Sequence, residues 1–314
     1  MTNSFSFEEA GGGDLDQFNQ RRSENRVTEL AGTGKKIGTK YQHSGKAPLE
    51  SLLFSVVVGL ICSAGSGVLY SFGVSNVEMI LVELVFLLMF AGGVGLPIGL
   101  VARKFKMRSD GHMFLVVVLA ASLGLYCCWA VHPYFAIGGD IAWSPGEIYQ
   151  WAILLYQKGE FGGWLAIGVW VGEIIAVYFM GLGFAFVQVE QPFCESCDCW
   201  TEKREAVACF GHPGVGTGIA RRLAEKDYLA LLECAPSNER ASYYLKVDMD
   251  MCPQCLETCT LTCKEITNSI NAKGEKEQKE KVLFDKWVVQ QSELQEIIAA
   301  GYTDEIDFSR QSES

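Results

Sequence analysis

Four long apolar stretches dominate the first two thirds of the chain. They run from Leu49 to about Phe72, from Val77 to about Val101, from Met113 to about Val131 and from Trp164 to about Val189. A helix needs about 20 apolar residues to cross a bilayer. Four such stretches with so little polar sequence between them exceed what a soluble core of this size can bury. The pattern therefore predicts a membrane α-helical bundle of four transmembrane helices at residues 49–189.

The segment before the first apolar stretch is polar. Residues 1–48 are rich in Gly, Ser, Asn and Gln, which predicts a disordered arm. We expect no cleavable signal peptide, because the first long apolar run begins only near Leu49. The first membrane helix would then serve as the uncleaved insertion signal.

Basic residues cluster at alternate ends of the apolar stretches. The positive-inside bias places such clusters in the cytosol, so it predicts that both termini are cytosolic. The two remaining connections contain only Lys158 between them. The clusters are Lys35, Lys36, Lys40 and Lys46 before the first stretch, Arg103, Lys104, Lys106 and Arg108 after the second, and Lys203 and Arg204 after the fourth.

The connection between the third and fourth stretches contains a helix signal. Ser144-Pro145-Gly146-Glu147 combines an N-cap, a proline at the first helical position and a capping-box acid. Aromatic residues that favour a membrane interface surround it, including Trp143, Tyr149 and Trp164. We predict an interfacial helix at about 144–159, acting either as a spacer or as a lid or docking ledge.

Pairs of glycines four residues apart occur within two of the spans. Gly95 and Gly99 form one pair, and Gly168 and Gly172 form the other. Such pairs let helix backbones approach closely. They predict a packed bundle and allow a homo-oligomer through glycine-rich helix faces. Pro97 predicts a kink in the second helix.

Three ionisable residues are predicted to lie in the outer half of the bundle. Glu83 and Glu173 are within the second and fourth spans, and His132 is at the outer end of the third. Buried ionisable groups in a membrane are costly and often mark a proton or ion site. The alternatives are two protonated acids hydrogen-bonded between helices, or carboxylates that reach water near the interface.

Charge separates the tail from the membrane part. The chain carries 26 Lys and Arg against 37 Asp and Glu, a net charge of −11. Residues 190–314 carry 14 basic against 23 acidic residues, a net of −9. This excess of acid argues against nucleic-acid binding, which requires a basic surface.

Nine of the twelve cysteines lie between Cys194 and Cys263. The two Cys-x-x-Cys pairs, Cys194/Cys197 and Cys252/Cys255, predict a closed four-thiolate site for a structural zinc ion, because stable disulfides are disfavoured in the cytosol. Cys199 is an alternative to Cys197, and Cys209 and Cys234 are weaker alternatives because neither has a partner at ligand spacing.

The competing hypothesis is thiol redox chemistry at Cys252-Pro253-Gln254-Cys255. A redox dithiol of the thioredoxin type precedes a helix, whereas the alternation from Thr258 onwards predicts a strand to about Ile270. On that strand Cys259 and Cys263 are predicted to be core thiols. A turn at 271–274, a return strand at 282–289 and a short helix at 292–300 complete the predicted α+β domain.

Gly211–Gly218 is a glycine-rich run that leads into a predicted helix at 219–234. Such a loop can bind phosphate, but it lacks the Gly-Lys-Ser/Thr ending of a P-loop and the spacing of a dinucleotide site. A flexible loop before a packing helix is the favoured interpretation. His212 is a candidate stray ligand.

At Cys194–Trp200 and Cys252–Cys255 the tail resembles the zinc-ribbon class. The layout of four spans followed by such a tail resembles multi-pass bacterial membrane proteins of unassigned activity. The resemblance implies a zinc-ligand role for the four thiols, a bacterial cytoplasmic membrane and a cytosolic zinc-ribbon-like domain at 190–314, but no activity. We expect a membrane-anchored interaction or scaffold protein with a cytosolic protein partner. The alternatives are a proton- or cation-coupled transporter or channel that uses Glu83 and Glu173, and a membrane-tethered thiol redox protein.

Overall fold

The structure is a computed structural model that describes residues 39–77, 79–158, 163–212, 218–225, 227–255, 257–270 and 276–301. Its first half consists of five helices. The first, second, third and fifth of them are long and apolar enough to cross a membrane, which confirms the four predicted spans and indicates an integral membrane protein. The bounds are α1 Leu49–Asn76, α2 Ile80–Lys104, α3 Asp110–Ile137, α4 Pro145–Lys158 and α5 Trp164–Gln188.

The predicted helix between the third and fourth spans is confirmed as α4. The Ser144 hydroxyl accepts a hydrogen bond from the backbone N–H of Glu147 at 3.2 Å, and the Glu147 carboxylate accepts one from the backbone N–H of Ser144 at 3.0 Å. This reciprocal pair is the capping box that the sequence predicted. Gly159, the predicted end, lies outside the described residues.

Small residues set the spacing of the bundle. Helix α1 packs along both α2 and α3, and α2 packs along α5, whereas α3 and α5 approach each other less closely. The buried face of α1 carries a small residue at every fourth position, a stripe that our reading of the sequence missed. The stripe comprises Ser51, Ser55, Gly59, Ser63 and Gly67.

One predicted glycine pair packs inside the chain and the other does not. A Cβ added at Gly95 would overlap the carbonyl oxygen of Gly181, and one added at Gly99 would lie 2.6 Å from that of Ala185. The close approach predicted from the first pair is therefore confirmed. Gly168 and Gly172 have no described atom within 4 Å of an added Cβ, so their face is open within this chain, and an oligomer through it stays a prediction.

The tail folds as an antiparallel sheet with helices on one face. The strand order is β1-β7-β6-β5-β4, and two very short strands, β2 and β3, form a separate hairpin. A 3₁₀ helix at Tyr228–Glu233 and helices α6 and α7 cover the apolar face. The bounds are β1 Thr39–Lys40, β2 Phe193–Cys194, β3 Cys199–Trp200, β4 Glu202–Gly211, α6 Gly218–Ala224, β5 Tyr243–Met251, β6 Cys259–Ile270, β7 Lys276–Val288 and α7 Gln291–Ala300.

Several predicted features of the tail are confirmed. Cys259 and Cys263 are fully buried with Leu261 on the helix-covered face of β6. Strands β6 and β7 form the predicted hairpin, whose connection lies outside the described residues. Strand β4 was not predicted. It is interrupted by a register shift between Arg204 and Ala208, where Ala206 has a positive φ of 54°.

Residues 39–48 correct one prediction. The sequence placed them in a disordered arm, but Thr39 and Lys40 pair with Val288 and Trp287 as the edge strand of the sheet. The Tyr41 hydroxyl also accepts a hydrogen bond from the backbone N–H of Phe193 at 2.9 Å. The backbone groups of Thr39 and Lys40 find their hydrogen-bond partners on strand β7. The polar composition of the segment does not reveal a partner so distant in the sequence. Residues 1–38 lie outside the described part of the chain.

We predict that Gly67→Ala destabilises the bundle. The new methyl group would collide with the carbonyl oxygen of Gly124, a backbone atom that cannot move without separating α1 from α3. Overpacking of this kind costs about 1–3 kcal/mol. The measurement is thermal unfolding of the full chain in detergent.

Gly65→Ala is the matched control on the same helix, because an added Cβ there meets nothing within 4 Å. Alanine has the higher helix propensity, so this change should leave the unfolding temperature unchanged or raise it slightly. Equal unfolding temperatures for the two variants would contradict the proposed packing of α1 on α3.

Candidate functional site

The structure brings together the four predicted thiols. The Sγ atoms of Cys194, Cys197, Cys252 and Cys255 all lie within 4.8 Å of one another. None of them forms a disulfide, and the Sγ atoms of Cys194 and Cys255 are 3.5 Å apart. The four side chains therefore form a compact cluster that can hold a metal ion.

Two tight turns aim these thiols at one point. In the first, β2 and β3 pair Cys194 with Cys199, and Asp198 adopts a left-handed φ of 52°. Aspartate tolerates this conformation better than most residues because its short polar side chain bonds locally. We call residues 193–201, which contain this first turn, the first knuckle. In the second turn, the backbone N–H of Cys252 donates to the carbonyl oxygen of Thr258 at 3.0 Å.

The electrostatics of the cluster favour a thiolate at Cys252. Burial raises the pKa of its thiol, but backbone N–H donors from Cys255 and Gln254 and the thiols of Cys194 and Cys199 outweigh burial and lower the pKa to about 6. Backbone donors stabilise the charged sulfur without needing a side chain. A lowered pKa favours the thiolate, which is the state that binds a metal.

Cys199 is a fifth thiol at the edge of the cluster. Its Sγ is 3.6 Å from that of Cys252, but the compact set contains Cys197. Burial raises the pKa of Cys199. The weaker alternatives, Cys209 and Cys234, are buried in the hydrophobic clusters of the sheet domain.

The geometry around Cys252-Pro253-Gln254-Cys255 differs from that of a redox dithiol. Among the described residues the next element after it is strand β6, as the sequence predicted, and not the helix of a redox dithiol. Cys252 is also fully buried. A redox dithiol needs an exposed thiolate, so this arrangement suits metal binding better than thiol exchange.

The first knuckle rests on the connection between α2 and α3. Glu195 forms ion pairs with Arg108 at 2.7 Å and with Lys46 at 2.9 Å. Partial burial raises the pKa of Glu195, but hydrogen bonds from Ser44 and Lys46 and the charge of Arg108 lower it to about 2. The Arg108 guanidinium is largely buried and lies 4.2 Å from the ring centre of Phe193, a cation–π contact.

Further contacts tie the knuckle to the same end of the bundle. The indole N–H of Trp200 donates to the carbonyl oxygen of Arg103 at 2.8 Å, and Lys106 pairs with Asp198 at 2.5 Å. The backbone N–H of Arg108 donates to the carbonyl oxygen of Lys46 at 2.8 Å. We call this end of the helices, next to the sheet domain, the sheet-side end, and the opposite end the distal end.

The three predicted intramembrane residues line one cavity at the distal end. Glu83, Glu173 and His132 face a space of about 700 Å³ between α1, α2, α3 and α5, beside α4. The sequence could place the acids at similar depths but could not show that they share a space. We call this space the distal cavity. Its other lining residues are Tyr70, Ser71, Val74, Ile80, Leu84, Leu87, Phe90, Leu125, Cys128, Trp129, Leu155, Leu165, Val169, Trp170, Gly172, Ile174 and Val177.

His212 is positioned by an aromatic contact in the sheet domain. Its ring stacks on Tyr243 with the centroids 3.9 Å apart, and it lies 3.9 Å from the carboxylate of Glu265. It is not part of the thiol cluster. Residues 213–217 of the glycine-rich run lie outside the described residues, so the phosphate-binding alternative stays a prediction.

Comparison with protein-family models, with curated proteins and with solved structures finds no match to this chain.

We predict that Cys194→Ser and Cys255→Ser abolish metal binding by the full chain. Serine oxygen is a much weaker ligand than thiolate, and a site with four ligands loses its closed geometry when one is removed. The measurement is metal content per purified chain.

Three other cysteine variants serve as controls. Cys259→Ser and Cys263→Ser change core thiols on β6, and Cys199→Ser changes the fifth thiol. All three proteins should retain the metal, although the first two should be less stable because a hydroxyl replaces a buried thiol. Metal loss in the Cys199 variant with retention in Cys197→Ser would show that the ligand set is misassigned.

Proposed function

We propose that this chain is a membrane-anchored interaction protein whose sheet domain is held against the helical bundle by a structural zinc site. The observation that carries the proposal is the position of the thiol cluster. Two of its four thiols, Cys194 and Cys197, belong to the first knuckle. The same knuckle contacts Arg103, Lys106 and Arg108 of the bundle. A metal at the cluster would therefore fix the interface between the two parts of the chain.

The ligand set supports zinc. Zinc takes four thiolates in a tetrahedron with Zn–S distances of about 2.3 Å, which separates the sulfurs by roughly 3.8 Å. The Sγ atoms of Cys194 and Cys255 are 3.5 Å apart, and all four Sγ atoms lie within 4.8 Å of one another. These distances are compatible with the tetrahedron. Four protein ligands leave no open coordination position, so the metal would have a structural role and not a catalytic one.

The charge of the tail supports a protein partner. The acidic excess of residues 190–314 disfavours nucleic acid. A sheet domain fixed at the membrane surface, with a polar exterior, suits the recruitment of a soluble protein to the membrane. The proposed zinc-ribbon-like fold would then be a recognition module.

Metal removal should loosen the interface as well as the cluster. We expect hydrogen–deuterium exchange of the full chain to increase at 193–201 and also at 103–109 after chelation. Arg108→Gln should increase exchange at 103–109 in the metal-loaded protein, because it removes a largely buried cation bound to Glu195. Hydrogen bonds to charged groups contribute about 1.5–3 kcal/mol.

Lys106→Gln is the matched control for Arg108→Gln. Its ion pair with Asp198 is solvent-exposed, with side chains 40% and 62% accessible, and such pairs contribute about 0–1 kcal/mol. Exchange at 103–109 should therefore change little. Unchanged exchange at 103–109 after complete metal removal would refute the proposed role of the site.

A partner recovered by the metal-loaded chain should be lost on chelation and retained by Lys106→Gln.

The orientation of the chain is also a proposal. The structure places residues 39–48 and the sheet domain at the same end of the bundle, and the positive-inside bias assigns that end to the cytosol. A reporter active only in the cytosol should be active after Ser314 and silent when inserted near Gly159. The reverse result would overturn the orientation and, with it, the argument against disulfides.

A coupled transporter is the second candidate, and the distal cavity is the observation that favours it. Towards the sheet-side end, however, the bundle between the helices is filled by Phe90, Val94 and Ile98, all nearly or fully inaccessible. The described residues that line the cavity all lie in the distal half of the bundle. This geometry supports ligand binding more directly than passage across the membrane.

A further inference from the structure

The distal cavity has a composition that selects for positive charge. Glu83 and Glu173 both line it, and none of the described residues that line the cavity is Lys or Arg. Two carboxylates in an apolar surrounding without a basic partner are costly unless something compensates them. The lining therefore has two acceptors for a cation and no internal counter-charge.

His132 does not supply that counter-charge. The Trp151 indole N–H donates to Nδ1 of His132 at 3.0 Å, so this nitrogen is an acceptor and the proton is on Nε2. A ring with one acceptor nitrogen is neutral. The same contact fixes the ring at the cavity wall, where Trp151 is mostly buried.

Aromatic side chains line the cavity together with the acids. Trp129 and Trp170 meet edge to face with their centroids 5.2 Å apart, and Trp129 also stacks on His132 at 6.4 Å. Tryptophan is the side chain whose face attracts cations most strongly. Two indoles beside two carboxylates form the arrangement that recognises an onium group.

Two further lining groups indicate a site for a ligand. Ser71 is fully buried, lines the cavity, and its hydroxyl has no hydrogen-bond partner among the described residues. Gly172 also lines the cavity, and an added Cβ there would meet nothing within 4 Å. The wall therefore offers an unused hydroxyl and a gap in the side-chain layer of α5.

We propose that the distal cavity binds an apolar organic cation. Its carboxylates would neutralise the charge, its indoles would contact the cationic centre, and the aliphatic lining would cover the body of the ligand. A bare metal ion fits less well, because hard cations require about six or more oxygen ligands and most of the lining is carbon. The volume of about 700 Å³ falls within the usual range for small-molecule sites.

The test compares two probes of the same shape and opposite charge. Tetraphenylphosphonium is a permanent cation, and tetraphenylborate is its isosteric anion. Each is measured by equilibrium binding to the full chain in nanodiscs, with empty nanodiscs as the reference for partition into lipid. We expect saturable binding of the cation and at least tenfold weaker binding of the anion. Cation uptake no greater than that of empty nanodiscs, or equal binding of both probes, would overturn the proposal without any variant.

Variants then locate the site. Glu83→Gln and Glu173→Gln should each weaken cation binding about tenfold, the effect of losing one charged contact of moderate strength. Gly172→Leu should abolish binding by filling the cavity. Gly168→Leu is its matched control, because that position is equally open but is not part of the lining, and it should bind within about twofold of wild type.

The outcome does not depend on the thiol cluster. Chelated protein should bind the cation as well as metal-loaded protein does, so failure here and failure of the metal proposal are distinguishable. Unfolding temperature and gel-filtration profile identify variants that fail to fold. Unaltered cation binding by a folded Glu83→Gln/Glu173→Gln double variant would place the probe elsewhere and refute the assignment.

Discussion

The convergence of four thiols from two distant segments is the constraint on which the rest of the sheet-side end depends. Residues 198–251 separate the two cysteine pairs, and strands β2 and β3 have only two residues each. Hairpins this short are not stable alone. The first knuckle therefore needs partners outside its own hairpin, and the second cysteine pair and the α2–α3 connection supply them.

Those contacts give the basic residues of the α2–α3 connection a second role. Arg103, Lys106 and Arg108 mark one side of the membrane by the positive-inside bias. In the folded chain Arg108 is largely buried, where an uncompensated guanidinium would be strongly destabilising. Glu195 and the ring of Phe193 compensate it. A residue of the basic cluster from which the orientation is predicted thus also binds the domain that follows the bundle.

Sequence reasoning succeeded where a local pattern determines structure. The apolar stretches, the capping box of α4, the β6–β7 hairpin and the paired cysteines all carry their signal within a few residues. It failed where structure depends on distant partners. Strand β1 pairs with β7 across almost the whole chain, and Arg108 meets Glu195, which no local pattern predicts. The small-residue stripe of α1 is different, because its four-residue spacing was visible in the sequence.

Close glycine contacts in the middle of the bundle explain why the distal end contains a cavity. Helices α1 and α3 meet at Gly67 and Gly124, and α2 and α5 meet at Gly95 and Gly181, through direct backbone contact. Helices already in contact there cannot approach further. Bulky side chains at the distal end, such as Trp129 and Trp170, therefore line a cavity and do not fill it. When a cavity is preformed, the protein needs little reorganisation to bind a ligand, so little binding free energy is lost. The close packing in the middle of the bundle therefore favours a binding site at its distal end.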